Sequence, residues 1–227
     1  MGTKEYFKIP AVFKRDPANG NKMIDGEFIS DQVFYLRYND WIWTEKIDGT
    51  NTRIIWDGEH VTFMGHTEKS QLPPELLKFL QEKYGREAFE ELLEQNFGAK
   101  HVVLFGEGYG REIQGPGSLY NPNGVGYALF DAFVDDKWWV DRFSLENIAK
   151  ELAIPTVPVW AYGSSLLFAI DTIKGDADRH LHTAIKGGTA PIEGFVCTPS
   201  VALFDASGTP IKVKVKVKDL KDGIDIK

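Results

Sequence analysis

Apolar and polar positions alternate along much of the chain, which is the period of half-buried β-strands. The plainest case is "PIKVKVKVKDL" (210–220), where valine and lysine take strict turns, so one face is apolar and the other wholly cationic. "FYLRYNDWIWTEKI" (34–47) and "TRIIWDGEHVTFMG" (52–65) are rich in β-branched and aromatic residues and predict strands, with Asp57-Gly58 as a hairpin turn inside the second. "HVVLFGEGYG" (101–110) predicts a strand running into a glycine loop, and "GYALFDAFV" (126–134) a strand that turns at Asp135-Asp136. "IEGFVCTPS" (192–200) predicts another.

The period changes to that of helices in four places. Residues 73–96 predict two helices broken at Gly85. "SLENIAKELA" (144–153) has Ser144 as its N-cap, and "SSLLFAIDTIKG" (164–175) has Ser164 or Ser165 at its start and Gly175 past its end. Residues 176–186 predict a further helix. No repeat, low-complexity tract or linker divides the chain. The expected fold class is α+β: antiparallel sheets with flanking helices, in one domain over residues 1–227.

Composition narrows the setting. The chain has 227 residues, 43% hydrophobic and 13% aromatic, enough for a sizeable core, and its 26% charged residues argue against wholesale disorder. No apolar run reaches the ~18 residues of a membrane span, and the opening "MGTKEYFKIPAVFKRD" lacks a secretory core, so no membrane partner is expected. The single cysteine, Cys197, has no internal disulfide partner, which fits a reducing, cytoplasmic setting. The net charge of −7 argues against a protein that coats nucleic acid through a broad basic surface. It leaves room for a local basic groove, because Lys212, Lys214, Lys216, Lys218 and Lys221 crowd the C-terminal end.

Candidate chemistry starts from absences. There is no P-loop, H-E-x-x-H, C-x-x-C or G-x-S-x-G pattern, and His180 and His182 have no neighbours in sequence that complete a zinc set. What stands out is "WTEKIDGTNTR" (43–53), which sets Lys46 between two acids, ahead of a glycine turn, an asparagine and an arginine. A lysine nucleophile must fall from a reference pKa of about 10.4 to about 7–8, roughly 4 kcal/mol of differential stabilisation. Burial and neighbouring cations both act in that direction. The lysine ladder at 212–218 offers the cations, an arrangement that suits the phosphates of a nucleotide. Asp48 acts the other way unless a metal ion neutralises the carboxylates.

Five segments in order, "EKIDGTN", "FGEGYG", "LFDAFV", "EGFVC" and "IKVKVKVKDL", resemble the covalent nucleotidyltransferase superfamily of ATP-dependent DNA and RNA ligases and mRNA capping enzymes. The K-x-D-G motif is Lys46-Ile47-Asp48-Gly49, and the flanking Glu45 and Thr50-Asn51 are most similar to the RNA ligase 2-like branch. The opening "IPAVFKRD" is similar to phage-type RNA ligases, and the resemblance runs from about residue 9 to 220.

That resemblance implies the nucleotidyltransferase fold, ATP as cofactor with Mg²⁺ or alternatively Mn²⁺, and sealing of a 3′-hydroxyl to a 5′-phosphate through lysyl-AMP. Lys46 would attack the α-phosphate. Glu45 and Ile47 would bind the nucleotide, Asn51 and Arg53 its phosphate or ribose, and Glu107 its ribose. Phe130 would stack on adenine. Glu193 would place the metal, with Glu107 as a second metal donor. Lys214 and Lys216 would bind the α-phosphate; the pairs 212/214 and 216/218 fit the same pattern.

The implied substrate is an RNA or RNA/DNA duplex with a nick or splinted ends. Alternatives are a DNA ligase, a capping-type nucleotidyltransferase, and a non-catalytic nucleotide or nucleic-acid binding module. The sequence departs from the family in two ways. Cys197-Thr198-Pro199 stands where many relatives carry a lysine, and too little follows Lys216 for an appended OB-fold or helical domain. An accessory protein supplying duplex binding is therefore an expected partner.

Overall fold

In the computed structural model, which describes residues 4–175 and 180–220, every paired set of strands is antiparallel. The chain forms two compact units, each assembled from separated segments: residues 4–6, 48–157 and 185–190 in one, and residues 7–47, 158–184 and 191–220 in the other. One of the points where the backbone passes between them falls between Ile47 and Asp48, inside the K-x-D-G stretch.

The first unit is built on a sheet ordered β5-β4-β6-β7-β8, comprising β4 (Thr50–Trp56), β5 (Val61–Gly65), β6 (Val102–Gly110), β7 (Val125–Val134) and β8 (Trp138–Trp139). The β4–β5 hairpin turns through Asp57, whose side chain accepts from the Glu59 and His60 amides. Asp135 and Asp136 both take positive φ between β7 and β8, as a type I′ turn requires. Helices α2 (Pro74–Tyr84), α3 (Glu87–Phe97) and α5 (Arg142–Glu151) cover one apolar cluster that includes Ile54, Leu76, Leu80, Leu93, Leu104 and Leu129. A short α4 (Gly117–Tyr120) follows β6.

Glycine-rich "FGEGYG" is strand throughout rather than the expected loop. Its glycines serve close packing: a Cβ at Gly106 would overlap the Tyr127 ring, and one at Gly108 would overlap Leu76 of α2. Helix α5 starts at Asp141, not Ser144. The Asp141 carboxylate accepts from the Phe143 and Ser144 amides and from the Ser144 hydroxyl, so the stronger acceptor takes the cap.

The second unit holds a hairpin of β1 (Phe13–Asp16) and β2 (Lys22–Phe28), and a sheet ordered β11-β10-β3-β9. These are β3 (Trp41–Glu45), β9 (Val159–Ser164), β10 (Gly194–Pro199) and β11 (Val213–Lys216). Among the described residues it also has helices α1 (Asp31–Leu36), α6 (Leu166–Lys174) and α7 (Val217–Leu220). Its core includes Trp41, Trp43, Ile170, Phe195, Val213 and Val215.

Three expectations change here. Residues 34–36 are helical although Phe34 and Tyr35 favour strands: the Ser30 hydroxyl caps α1 by accepting from Val33 N, and Val33 and Leu36, three apart, turn inward. The C-terminal strand ends at Lys216, and Lys218 lies on α7. Residues 180–186 are not helical, and 176–179 fall outside the described residues, as does Lys221. Helix α6 begins after Ser165, whose hydroxyl accepts from Phe168 N, and ends at Gly175.

Candidate active site

The strand order β11-β10-β3 decides which residues meet. Both pairings are antiparallel, so the end of β3, the start of β10 and the end of β11 lie side by side. Lys46 follows β3, Glu193 precedes β10, and Lys216 closes β11. The backbone fixes this meeting point: Lys46 N donates to Gly194 O at 2.9 Å, and Val217 N donates to Glu193 O at 2.9 Å. Gly194 takes φ +147°, and a Cβ there would collide with Val215 O.

The side chains continue the convergence. Lys46 Nζ donates to Glu193 Oε2 at 2.5 Å, and Lys216 Nζ is paired with Glu193 Oε1. The exposures of Lys46, Glu193 and Lys216 are 26%, 16% and 12%, so the cluster is sheltered yet reachable. Burial pushes the Glu193 carboxyl up, but Lys46 and Lys216 outweigh it and hold the group below its ordinary value.

Lys214 lies two residues before Lys216 on β11, so both side chains leave the same face while Val213 and Val215 are fully buried. Burial pulls the Lys214 ammonium down; Lys216 and Lys46 add to this, Glu193 opposes it, and Lys8 adds a smaller push. Lys8 is a cation that the motifs did not single out. Residues 10–12 run beside β11, with Lys214 N donating to Pro10 O and Val12 N to Lys214 O. Of the other ladder lysines, Lys212 precedes β11 and Lys218 is exposed on α7.

Glu45 ends β3 and is 2% exposed. Its Oε2 accepts from Ala184 N at 2.8 Å and from Trp160 Nε1 at 3.3 Å, while Oε1 is buried with no hydrogen-bond partner. Ile47 is buried, at 3% exposure.

The first unit carries the remaining sequence candidates. Asp48 N donates to Tyr120 Oη at 3.2 Å, and Gly49 passes so close to Gly108 O that any Cβ would strike it. Asn51 and Glu107 are direct partners across β4 and β6, and Asn51 Oδ1 is buried without a hydrogen-bond partner.

Phe130 occupies an irregularity in the β6–β7 ladder. Phe105 pairs with Asp131 and Gly106 with Leu129, so Phe130 is the extra residue of a bulge, the device by which a strand re-aims a side chain. Its half-buried ring meets Tyr6 edge-on, with centroids 5.0 Å apart, and Tyr6 Oη donates to the buried Asp131 at 2.7 Å. Tyr6 was not legible as a site residue, because only the folded ladder brings it 125 positions along the chain to Asp131.

Arg53 stands apart from the other candidates. It is fully buried, and its Nε and Nη1 donate to the carbonyls of Gly65 and Lys4 at 2.9 and 3.0 Å. Burial draws its guanidinium down, and Glu5 and Glu68 partly restore it.

Among the described residues no group of three or more His, Cys, Asp or Glu side chains is placed to hold a metal ion, and no helix is long and apolar enough to cross a membrane.

The RNA ligase family model matches residues 39–214. No curated protein matches the chain. A Naegleria gruberi RNA ligase lysine mutant solved with ATP and Mn is similar in fold, at TM-score 0.62 and 16% identity over 97% of this chain and 63% of that one. The same ligase with PPi gives TM-score 0.61 and 19% identity over 94% and 62%. An archaeal ATP-dependent RNA ligase gives TM-score 0.58 and 15% identity over 96% of this chain and 49% of its own. The chain thus spans between about half and two thirds of the length of these structures. Its helices and antiparallel sheets have the nucleotidyltransferase fold that these ligases share, and the chain belongs to the RNA ligase family.

Proposed function

We propose that this chain is an ATP-dependent RNA ligase that forms lysyl-AMP on Lys46. The observation that carries the reading is the convergence of Lys46, Glu193 and Lys216 at three adjacent strand ends, with Lys214 beside them. Family membership and the likeness to ligases solved with ATP, Mn or PPi support it.

In the first step the Lys46 amine, having lost its proton, attacks the α-phosphorus. The N–P bond forms, the bond to the α–β bridging oxygen breaks, and pyrophosphate leaves. Lys214 and Lys216 stabilise the charge that builds on the α-phosphate and leaving group. In the second step a 5′-phosphate oxygen of the donor strand attacks the same phosphorus and frees Lys46. In the third a 3′-hydroxyl attacks the activated 5′-phosphate, and AMP departs.

For the nucleotide itself, Glu45 and Ile47 flank Lys46, Asn51 and Glu107 take the sugar, and Phe130 stacks on adenine. Arg53 acts from behind, by holding the Lys4 carbonyl and the end of β5.

A divalent cation fits the donors present. Mg²⁺ is usually held by one or two carboxylates, several waters and the substrate phosphates rather than by a protein cage. Glu193, 16% exposed, is a carboxylate of that kind. Glu193 and Glu107 are the proposed donors, and the ion, Mg²⁺ or Mn²⁺, would neutralise phosphate charge. The proposed substrate is a nicked or splinted RNA or RNA/DNA duplex in the cytoplasm, with an accessory protein contributing duplex binding.

The test is incubation with α-labelled ATP and Mg²⁺ followed by denaturing electrophoresis. The native chain is expected to keep the label and Lys46→Ala to lack it. Equal labelling of both would overturn the assignment.

A further inference from the structure

The segment around α1 turns large aromatic side chains to solvent. Tyr35 is 79% exposed, Tyr38 68% and Phe34 49%. The same short helix has an inward face, because Val33 is buried and Leu36 half-buried, so the outer rings are not spare core. Phe34 leans on Phe28, with centroids 5.7 Å apart.

Arg37 organises this surface. Its guanidinium lies 3.7 Å from the Phe34 centroid and 4.4 Å from the Tyr38 centroid, so it rests on both rings. Nη1 donates to Phe34 O at 2.5 Å, which holds the fork in place. Among the described residues no carboxylate pairs with it, which leaves most of a planar set of N–H donors for an anionic acceptor.

We propose that Tyr35, Arg37 and Tyr38 form a stacking platform for unpaired bases of single-stranded RNA, with Arg37 taking a backbone phosphate. The identity of the ligand rests on the RNA ligase reading above. One feature favours RNA over a protein partner. The arginine is already flattened on the rings, a pre-set cation for a phosphate, and every base has a π-face that a tyrosine can accept. The net charge of −7 and the flanking Asp31 and Asp40 oppose long-range attraction to RNA, so binding here rests on short-range stacking and on Arg37.

Fluorescence anisotropy with a labelled 12-nucleotide single-stranded RNA and a blunt RNA hairpin tests this on the whole chain. The single strand should bind tighter than the hairpin. Tyr35→Ala and Tyr38→Ala should each weaken it by about 5- to 150-fold, from stacking energies of about 1–3 kcal/mol per base. Arg37→Ala should lower the salt dependence by about one phosphate contact. Self-adenylylation should be unchanged in all three, which also reports that they fold.

The platform is overturned if native protein binds no RNA, if it binds the hairpin equally well, or if the tyrosine variants match it. Loss of self-association in the variants, with RNA affinity intact, assigns the face to a second copy of the chain and also overturns it. A native chain that binds RNA as described but never becomes adenylylated refutes the Lys46 assignment and upholds the platform.

Discussion

Lys46 and Glu193 are held 2.5 Å apart although 147 positions separate them in the chain. Antiparallel pairing of β3 with β10 brings them together, and the pair sets the resting state of the amine. In the proposed reaction, attack on a phosphate requires Lys46 to give up this carboxylate partner. Glu193→Gln keeps the shape and removes the charge, so adenylylation is expected to fall at least about tenfold while the fold persists. Measuring label incorporation over time checks it; full activity would remove Glu193 from the reaction.

The same substitution should change the response to acid. Glu193 has a folded pKa below its ordinary 4.5, so it contributes stability that is complete above that value and is lost as pH falls through the folded pKa. Urea midpoints for the native chain should therefore drop below about pH 4.5 more steeply than those of Glu193→Gln. Parallel curves would show that the two lysines do not hold the carboxylate as described.

Lys214 gives the opposite sign. Burial and neighbouring cations lower its folded pKa below 10.5, so the charged form costs stability at neutral pH, and that cost is relieved as pH rises through the folded value. Lys214→Met should raise the melting temperature at pH 7 while cutting adenylylation about 100- to 1,000-fold, the scale seen when a charge-stabilising donor is lost. A variant both destabilised and active would contradict the account.

Replacing the ladder lysines singly should separate them by position. Lys216→Ala removes a partner of Glu193, and Lys214→Ala a neighbour of Lys46. Lys218→Ala alters an exposed residue on α7, and Lys212→Ala one that precedes the strand. Adenylylation rates should drop for the first two and stay within about twofold for Lys218→Ala, with Lys212→Ala between; four equal effects would reduce β11 to a diffuse positive surface.

Phe130→Ala should raise the Michaelis constant for ATP by about tenfold, in keeping with base stacking at about 1–3 kcal/mol, and Phe130→Tyr should restore it. An unchanged constant would place adenine elsewhere. Gly194→Ala, by contrast, is a stability test. Forcing a Cβ to φ +147° against Val215 O should cost at least about 1–3 kcal/mol and lower the melting temperature by several degrees. No change would mean that the strand ends adjust freely.

Sequence patterning carried some parts of this structure and missed others for definable reasons. The hairpin at 52–65 was legible because Asp57-Gly58 is a local signal, and the break at Gly85 likewise. Helix α1 was not, since Phe34 and Tyr35 favour strands, against the Ser30 cap and Leu36. "FGEGYG" looked like a loop because nothing local reveals that Tyr127 and Leu76 press against its glycines. Strand β9 hid between Pro155 and Pro158 on one side and Ser165 on the other, where a sheet edge tolerates them. In the site, Lys46, Glu193 and the lysine ladder could be picked out one by one. Their convergence, the bulge at Phe130, and the parts of Lys8 and Tyr6 depend on contacts made across the chain.

Strand β11 joins two tasks that evolution cannot adjust separately. Val213 and Val215 are both 0% exposed, and burying each contributes about 1.5–3 kcal/mol, while Lys214 and Lys216 carry the charge. Deleting one residue inside the strand would exchange the two faces at once, driving ammonium groups inward and stranding valines in water. Length variants of the loop before Val213 should survive in descendants of this chain, whereas shifts within 213–216 should not.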